Sequence, residues 1–278
     1  MDKKVRLKEC DSLVNVTIGI CVRNCERTIK AAIVSLLDQT FNKKQMEITV
    51  VDDGSQDTTL AIITELLLKA NVKMKLYFTN GSGLSVARQT VVDNSCGNFV
   101  LFVDGDMVLP KDFIQKQFNV IRGNPLIGCV AANEKGRLNR GIVAELEYIG
   151  RSSKYGIGIH RTWAQNPQTL GTGGSIFRVA AIKEAGGFDP RIQGSAEDAD
   201  ISAKINLAGY MIINSQAEFE HEFKQTLKGV WNKYAWYGHG MHYFCHKYKK
   251  FTRSILSYFW PLAFVMGIIR STSYFKAT

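Results

Sequence analysis

Apolar runs rich in β-branched residues alternate with segments of helical period over the first half of the chain. Four such runs predict strands that end in polar breaks, and apolar residues at helical spacing follow the first three. The predicted strands cover residues 14–22, 46–51, 72–78 and 98–103. Because these runs are apolar on both faces, they predict a mostly parallel sheet that is covered by helices on both sides.

Polar residues follow each predicted strand at the point where its apolar run ends. The carboxyl ends of parallel strands lie at one edge of a sheet, and open α/β sheets bind ligands there. The residues at these ends are Arg23 and Asn24, Asp52 and Asp53, Asn80 and Gly81, and Asp104 and Asp106. They predict one cleft, although a single carboxylate at such a place can instead cap a helix, as we expect of Asp57 before residue 58.

The segment Asp104-Gly105-Asp106 is the sharpest local motif. Two carboxylates one residue apart on an extended segment point the same way and can share a hard cation with phosphate oxygens. The implied metal is Mn²⁺ or Mg²⁺. The same pattern occurs in ordinary turns, so the metal prediction depends on its position after an apolar strand, beside the cleft predicted for Asp52 and Asp53.

The pattern weakens beyond residue 111. A helix is predicted near residues 112–121 and a strand near 127–132, and periodicity does not resolve residues 133–167. Glycine-rich segments at 171–174 and 186–190 bracket a short predicted helix at 180–184. They lead to the acidic run Glu197-Asp198-Ala199-Asp200, which opens a helix that is predicted to end at Gly209.

Charge is distributed unevenly along the 278 residues. A hydrophobic content of 45% is enough for one large core and argues against a disordered chain. The formal net charge is +10, and nine cations but no acid follow Glu222. This basic segment is expected to contact an anionic surface, either a membrane or nucleic acid, or simply to be solvated.

Taken together, these motifs resemble the family-two glycosyltransferases of GT-A fold over roughly residues 15–221. The likeness rests on residues 51–55 (VDDGS) with Asp57, 80–88 (NGSGLSVAR), 102–106 (FVDGD), 173–189 and Glu197-Asp198. The resemblance implies a Rossmann-like, mostly parallel sheet flanked by helices in a catalytic domain at 1–222. It also implies inverting transfer of a sugar from a nucleotide-diphosphate sugar, such as a UDP- or GDP-sugar, to an acceptor hydroxyl.

The resemblance also suggests roles for individual residues. One of the two aspartates Asp52 and Asp53 would recognise the nucleotide base, with capping of the next helix as the structural alternative for either one. The predicted donor-binding residues are Arg23, Asp52, Asp53, Asn80, Gly81, Arg88 and Asp104. The predicted metal ligands are Asp104, Asp106 and His221, and the predicted acceptor-binding residues are Gly173 and Gly174.

Asp198 matches the position of the family's catalytic base. Inverting transfer needs a carboxylate that takes the proton of the acceptor hydroxyl on the face opposite the leaving diphosphate. Glu197 and Asp200 are alternatives for this role. Acidic residues at a helix start are also common for a structural reason, because they complement the helix dipole.

Residues 223–278 are predicted to form a basic, aromatic and apolar extension. His239, His242 and His246 share one helical face, where a zinc site is possible, but the surrounding aromatic residues favour a membrane-interfacial surface. Residues 255–269 form an apolar run that is shorter than the about 20 residues of a full span. We expect an in-plane or re-entrant membrane anchor, with a helix packed on the catalytic domain as the alternative.

The six cysteines and the N-terminus bear on location. Only Cys21 and Cys25 lie close together, which is weak evidence for zinc, and we expect all six to be reduced, buried side chains. Residues 1–9 are charged and lack the apolar stretch of a signal peptide. These features predict a cytoplasmic protein that is bound peripherally to a membrane through its C-terminal segment.

Two other functions share parts of this pattern. A sugar-phosphate nucleotidyltransferase has a related architecture, but it should show a Gly-rich basic loop after the first strand, where this chain has residues 21–26 (CVRNCE). A non-catalytic binder of nucleotide sugars or nucleic acid would not need the complete set of carboxylates, so the carboxylates favour a transferase. For a transferase we expect a glycan or lipid-linked acceptor and no nucleic-acid partner.

Overall fold

The computed structural model describes residues 13–136, 141–152, 171–192 and 194–248. Helices and strands alternate through most of this part of the chain. In order, they are β1 (Val16–Val22), α1 (Ile29–Leu37), β2 (Met46–Asp52), α2 (Thr59–Lys69), β3 (Lys73–Phe78), α3 (Leu84–Asn94), β4 (Phe99–Asp104), β5 (Met107–Val108), α4 (Phe113–Arg122), β6 (Ile127–Gly136), α5 (Ile142–Ser152), β7 (Ile176–Arg178), α6 (Val179–Glu184), α7 (Glu197–Leu207), β8 (Met211–His221) and α8 (Leu227–Lys247).

The described strands form one mixed sheet in the order β3-β2-β1-β4-β7-β6-β8-β5. The first four strands are parallel neighbours, and β6 also pairs with β8 in parallel. The antiparallel pairs are β4 with β7, β6 with β7, and β5 with β8. The predicted α/β fold with a mostly parallel sheet flanked by helices is therefore confirmed, while the antiparallel pairs were not predicted.

The core lies on both faces of the sheet, as the doubly apolar strands require. Every residue of β2 is buried. Successive residues of β4 face opposite sides of the sheet. Leu101 and Val103 belong to the hydrophobic cluster on one face, and Phe102 belongs to the cluster on the opposite face. Phe102 packs edge-on against the rings of Phe177 and Phe188, which fixes β7 and the turn before α7 against the parallel strands.

The register of the parallel strands aligns their carboxyl ends. Val22 at the end of β1 is paired with Asp52 at the end of β2, and Cys21 is paired with Asp104 at the end of β4. The polar residues that follow these strands therefore lie along one edge of the sheet, as the sequence predicts.

Helix α8 packs on the start of α7. Met241 and Phe244 form a buried cluster with small residues of α7, including Ala199 and Ala203. The Nζ of Lys247 donates at 2.6 Å to Asp200 of α7. The first part of the predicted extension thus contacts the body, whereas the apolar run at residues 255–269 lies outside the described residues. Within the described chain, no helix has both the length and the apolar character that a membrane crossing requires.

Two local predictions need correction. Helix α2 begins at Thr59, one residue later than predicted, so Thr58 and not Asp57 occupies the capping position. The Oδ1 of Asp57 nevertheless accepts from the Thr59 amide at 2.9 Å. The expectation that all six cysteines are reduced is wrong for Cys96, which is disulfide-bonded. Four others, Cys21, Cys25, Cys129 and Cys245, are free.

Candidate functional site

Arg88 joins two of the predicted motifs. Its guanidinium is buried on α3, and Nη2 donates to Oδ1 of Asp104 at 3.1 Å. Nη1 donates to Oε1 of Glu197, the first residue of α7. The structure shows Arg88 between two carboxylates, and its predicted donor-binding role stays a prediction. The Asp-x-Asp segment and the Glu-Asp pair are thereby held together.

The thiol of Cys21 shows how closely the acidic residues converge. Burial raises the pKa of Cys21 to about 12. The charge of Arg88 opposes this shift, and the carboxylates of Asp104, Asp53 and Glu197 add to it. Because electrostatic effects of this kind weaken with distance, residues at the ends of β2 and β4 and at the start of α7 lie in the same region as the end of β1.

Asp106 and His221 form an ion pair at the same edge. The pairing of β5 with β8 places Met107 opposite His221, and Nε2 of His221 lies 3.3 Å from Oδ2 of Asp106. Its Nδ1 lies 2.8 Å from Oε1 of Glu134. Burial disfavours the charged imidazole, but the two carboxylates prevail and raise the pKa of His221 to about 9. The histidine is thus protonated at neutral pH in this arrangement.

The donors around Asp106 fit a divalent cation in chemical type. Two carboxylates and an imidazole nitrogen suit Mn²⁺, and carboxylate oxygens suit Mg²⁺. Glu134 contacts the other ring nitrogen of His221, as a carboxylate behind a metal-binding histidine often does. Among the described residues, no group of three or more His, Cys, Asp and Glu side chains is already arranged as a metal site. Metal binding would therefore require His221 to lose its proton.

The two aspartates after β2 brace neighbouring loops. Asp52 accepts from the Ser55 amide at 2.7 Å through Oδ1. Asp53 accepts from the Thr79 hydroxyl at 2.7 Å and from the Gly83 amide at 3.0 Å. These contacts give both residues a structural role, and base recognition by either one stays a prediction.

Asn80 and Gly81 lie in the loop after β3 with positive φ angles of 49° and 78°. A β-carbon placed on Gly81 would lie 3.7 Å from Nη1 of Arg23. The loops that follow β1 and β3 therefore meet at the cleft edge, and the predicted donor-binding residues of both are neighbours.

Gly173 and Gly174 pack closely against the edge of the sheet that carries Asp104. A β-carbon on Gly173 would collide with Oδ2 of Asp104, and one on Gly174 would collide with the Phe219 ring. Gly174 also has a φ of 76°, which favours glycine. The close approach of this backbone fixes the position of Asp104, and the predicted acceptor role stays a prediction.

The helix that carries the predicted base begins from a strained residue. Ala196 has a left-handed φ of 74°, a conformation that side chains other than glycine rarely adopt. It directs Glu197 inward, where burial raises the pKa of its carboxyl to about 7 against the pull of Arg88. Asp198 follows at half-buried exposure, and its Oδ1 accepts from the Ala199 amide at 2.7 Å.

Asp200, which was considered as an alternative base, has a structural role in the fold. It is fully buried and lies in a network with Lys204, Lys247 and the Tyr248 hydroxyl. Because its oxygens are occupied by these partners, the structure favours Asp198 over Asp200 as the candidate base. Glu134 was missed by the sequence prediction because it lies in the stretch where periodicity gave no signal.

The mixed sheet and the carboxylates at its edge fit the GT-A class of glycosyltransferases that the sequence resembles. Residues 17–186 match the sequence model of glycosyl transferase family 2. This match covers more than half of the chain, and the protein belongs to that family.

Curated relatives and solved structures agree with this assignment. The poly-β-1,6-N-acetyl-D-glucosamine synthase of Staphylococcus aureus (strain COL) is 24% identical over 237 residues, which is 84% of this chain and 56% of the relative. The chain thus spans little more than half the length of that relative. The crystal structure of S. aureus TarS is 25% identical, with a TM-score of 0.57, and the match covers 75% of this chain and 37% of TarS.

A second structure shares the fold over almost the whole chain. It is the mannosyltransferase PcManGT from Pyrobaculum calidifontis in complex with GDP-Man and Mn²⁺. The TM-score is 0.68 at 15% identity, and the match covers 95% of this chain and 76% of the mannosyltransferase.

Proposed function

We propose that this protein transfers a sugar from a nucleotide-diphosphate sugar to an acceptor hydroxyl with inversion at the anomeric carbon. The observation that best supports this function is the bridge from Asp104 through Arg88 to Glu197. It joins the segment expected to hold the donor diphosphate to the helix start expected to hold the base. A transferase needs these two parts at the two sides of one sugar carbon.

The proposed donor is a UDP- or GDP-sugar. TarS has been crystallised with UDP and with UDP-GlcNAc, and PcManGT with GDP-Man. In this chain, Asp52 or Asp53 would accept a hydrogen bond from the base, next to Arg23, Asn80 and Gly81. A carboxylate acceptor suits an imide N–H such as that of uracil.

Asp198 is the proposed base. Its carboxylate takes the proton from the acceptor hydroxyl while the oxygen bonds to the anomeric carbon and the bond to the diphosphate breaks. Glu197 is less suited to this role because it is buried against Arg88. We propose that Glu197 instead orients Arg88 and the start of α7, which aims Asp198 at the acceptor.

Asp104, Asp106 and His221 would hold Mn²⁺ or Mg²⁺ together with the donor. A divalent cation there would neutralise the charge that develops on the leaving diphosphate. Arg88 supplies a fixed positive charge beside Asp104 whether or not a cation is bound. The presence of Mn²⁺ in the PcManGT complex supports the choice of metal.

We further propose a glycan or lipid-linked acceptor at the cytoplasmic face of a membrane. Large apolar side chains are exposed on α5 and α8, and we propose that they contact the membrane surface. These residues are Ile142, Leu146, Leu227, Trp231 and Trp236. The cations after Glu222 and the apolar run at 255–269 supply the further signals that stable peripheral binding requires.

A donor screen tests this function. UDP- and GDP-sugars are incubated with the protein, a mixture of candidate acceptors and Mn²⁺ or Mg²⁺, and release of the nucleoside diphosphate is followed. We expect metal-supported release from one class of donor and its loss in Asp106→Ala. Pyrophosphate formation from a nucleoside triphosphate and a sugar phosphate would instead identify a nucleotidyltransferase.

A further inference from the structure

A cavity of about 250 Å³ lies between α8 and the loop that leads into α7. It is formed by other residues than those of the cleft described above. Its lining includes Arg191 and Ile192 from the loop and His239, His242, Tyr243 and His246 from α8. All three histidines that the sequence placed on one helical face therefore point toward this cavity.

The walls of the cavity are held at fixed positions. A β-carbon on Gly240 of α8 would collide with the carbonyl of Ser195, so the helix and the loop meet backbone to backbone. The buried Ser195 hydroxyl also lies 3.3 Å and 3.2 Å from the carbonyl oxygens of Trp236 and Tyr237. The helix and the loop are thus packed directly against each other beside the cavity, whose lining histidines are exposed at the surface.

The lining offers hydrogen-bond donors and positive charge. An imidazole carries an N–H donor in either protonation state, and a guanidinium carries five. Arg191 uses Nε and Nη2 on Asp189, at 2.9 Å and 2.8 Å, which fixes the guanidinium in place and leaves it further donors. No Asp or Glu is among the residues that line the cavity in the described part of the chain.

The acidic residues that lie behind the lining are paired with cations and do not make the cavity negatively charged. Asp189 and Asp200 lie near α8, but Lys247 contacts both carboxylates at 2.6 Å. Lys204 also contacts Asp200 at 2.8 Å. Three cations, counting Arg191, therefore outnumber the two acids, and neither acid lines the cavity itself.

The position of the cavity suggests which reactant carries that anion. Gly194 lines the cavity, and Glu197 and Asp198 at the start of α7 follow it three and four positions later in the chain. The donor diphosphate is assigned to Asp104 and Asp106, which do not line this cavity. A group in the cavity would therefore belong to the molecule that approaches Asp198.

We propose that this cavity binds a phosphate group of the acceptor, a step that rests on the proposed transferase function. The acceptor would be a phosphate monoester or diester whose hydroxyl reaches Asp198 while its phosphate contacts Arg191 and the α8 histidines. The volume is below the about 300–1,000 Å³ typical of sites for drug-sized ligands, which suits one phosphate and its nearest substituent. Guanidinium and imidazole groups favour phosphate over an uncharged sugar.

Nuclear magnetic resonance of the histidine side chains tests the proposal in the full chain. The protein has five histidines, and three of them line the cavity. Inorganic phosphate is titrated at constant pH and ionic strength in the presence of EDTA. We expect saturable shifts of His239, His242 and His246 and none of His221.

Two variants and a matched control separate specific binding from general charge effects. Arg191→Gln and Lys228→Gln each remove one positive charge, but Lys228 is exposed on α8 and does not line the cavity. We expect Arg191→Gln to weaken phosphate binding about tenfold or more and Lys228→Gln to leave it within about twofold. His242→Gln serves as a second variant, because Arg191 also braces Asp189.

Several outcomes would overturn the proposal. Shifts that do not saturate, or equal effects of Arg191→Gln and Lys228→Gln, would show general ionic association. A response only when Zn²⁺ replaces EDTA would show a metal site. If UDP displaced phosphate from the α8 histidines, the cavity would belong to the donor.

The two proposals fail separately in this experiment. If UDP with Mn²⁺ binds but phosphate does not, the phosphate cavity is refuted and the transferase function stands. If phosphate binds saturably but no nucleotide or nucleotide sugar does, the transferase function is refuted, and the assignment to an acceptor is refuted with it.

Discussion

Arg88 donates a hydrogen bond to Glu197 across 109 positions of sequence. The side chains of both residues are almost completely buried, so the pair is shielded from water. The same guanidinium contacts Asp104 at the end of β4. One cation thus fixes the distance between the proposed donor-binding segment and the proposed base-bearing helix, and the integrity of the site depends on it.

Substitutions of Arg88 test this dependence. Arg88→Met leaves the buried carboxylate of Glu197 and the partly exposed carboxylate of Asp104 without their cation, and it is expected to lower the free energy of unfolding by about 3–5 kcal/mol. Arg88→Lys keeps the charge but cannot reach both carboxylates with a planar fork. We expect it to fold and to lose most of its kcat, as measured by thermal unfolding and nucleotide release. Wild-type turnover in Arg88→Lys would show that the bridge from Asp104 to Glu197 is not needed for activity. Arg122→Lys, at the exposed end of α4, is the matched control and should keep wild-type turnover.

Gly173 offers a test of how Asp104 is positioned. A methyl group at Gly173 collides with the Asp104 carboxylate, whereas one at Gly171 meets nothing within 4 Å. Gly173→Ala should therefore reduce turnover at least about tenfold while changing stability by no more than about 1 kcal/mol. Gly171→Ala is the matched control and should retain full activity. Equal turnover in the two variants would show that the close approach to Asp104 has no functional role.

The buried carboxyl of Glu197 should make stability depend on pH. Burial raises the pKa of Glu197 to about 7, against the pull of Arg88. Since this value lies above that of the unfolded chain, protonation of Glu197 stabilises the folded state in acid, and this contribution is lost as the pH rises through about 7. Glu197→Gln should flatten the decline in the free energy of unfolding between about pH 5 and about pH 7.

Chemical denaturation at a series of pH values measures this effect. Glu145→Gln, an exposed position in the first turn of α5, should leave the wild-type pH dependence unchanged. Parallel pH profiles for Glu197→Gln and the wild type would show that Glu197 has an ordinary pKa in the folded protein.

Asp189 should show the opposite pH dependence. Hydrogen bonds from Arg191, and then from Lys247, hold the pKa of Asp189 well below its ordinary range. A carboxyl with a lowered pKa stabilises the fold above the pKa of the unfolded chain, and the stabilisation is lost as the pH falls through the folded value. Asp189→Asn should therefore be less stable than the wild type at neutral pH and should lose less stability in acid.

The attachment of α8 can be followed in the same experiment. The fluorescence of Trp231 and Trp236 reports on that helix, and urea unfolding at neutral and acid pH gives the stability difference. Asp38→Asn removes an exposed ion pair with Lys111 and should have almost no effect at either pH. A pH dependence shared by Asp38→Asn and Asp189→Asn would argue against a specific role for Asp189.

Local signals were sufficient to predict the parallel half of the sheet. Strands β1, β2 and β4 are buried on both faces, and the polar ends of the four strands identify the cleft because parallel strands end at one edge. The antiparallel half was not predicted, since β7 has only three residues and the burial of β8 alternates irregularly. The partner of Arg88 could not be predicted either, because no local pattern indicates which carboxylate a helical arginine will meet 109 positions later.

Glu134 and Cys96 illustrate the same limit. Glu134 contacts His221 only because β6 and β8 pair in parallel with an irregular register. Cys96 follows the end of α3 at a position where periodicity gives no reason to expect a disulfide. Contacts of this kind depend on tertiary structure, whereas hydrophobic period reports on one segment at a time.

Single-turnover sugar transfer by Asp198→Asn, at saturating donor and metal, tests the central claim most directly. Asparagine can still accept from the Ala199 amide, so the helix start and donor binding should be preserved. We predict a donor Kd within about twofold of the wild type and a transfer rate reduced by about 10²–10⁴. An unchanged transfer rate would contradict the assignment of Asp198 as the base.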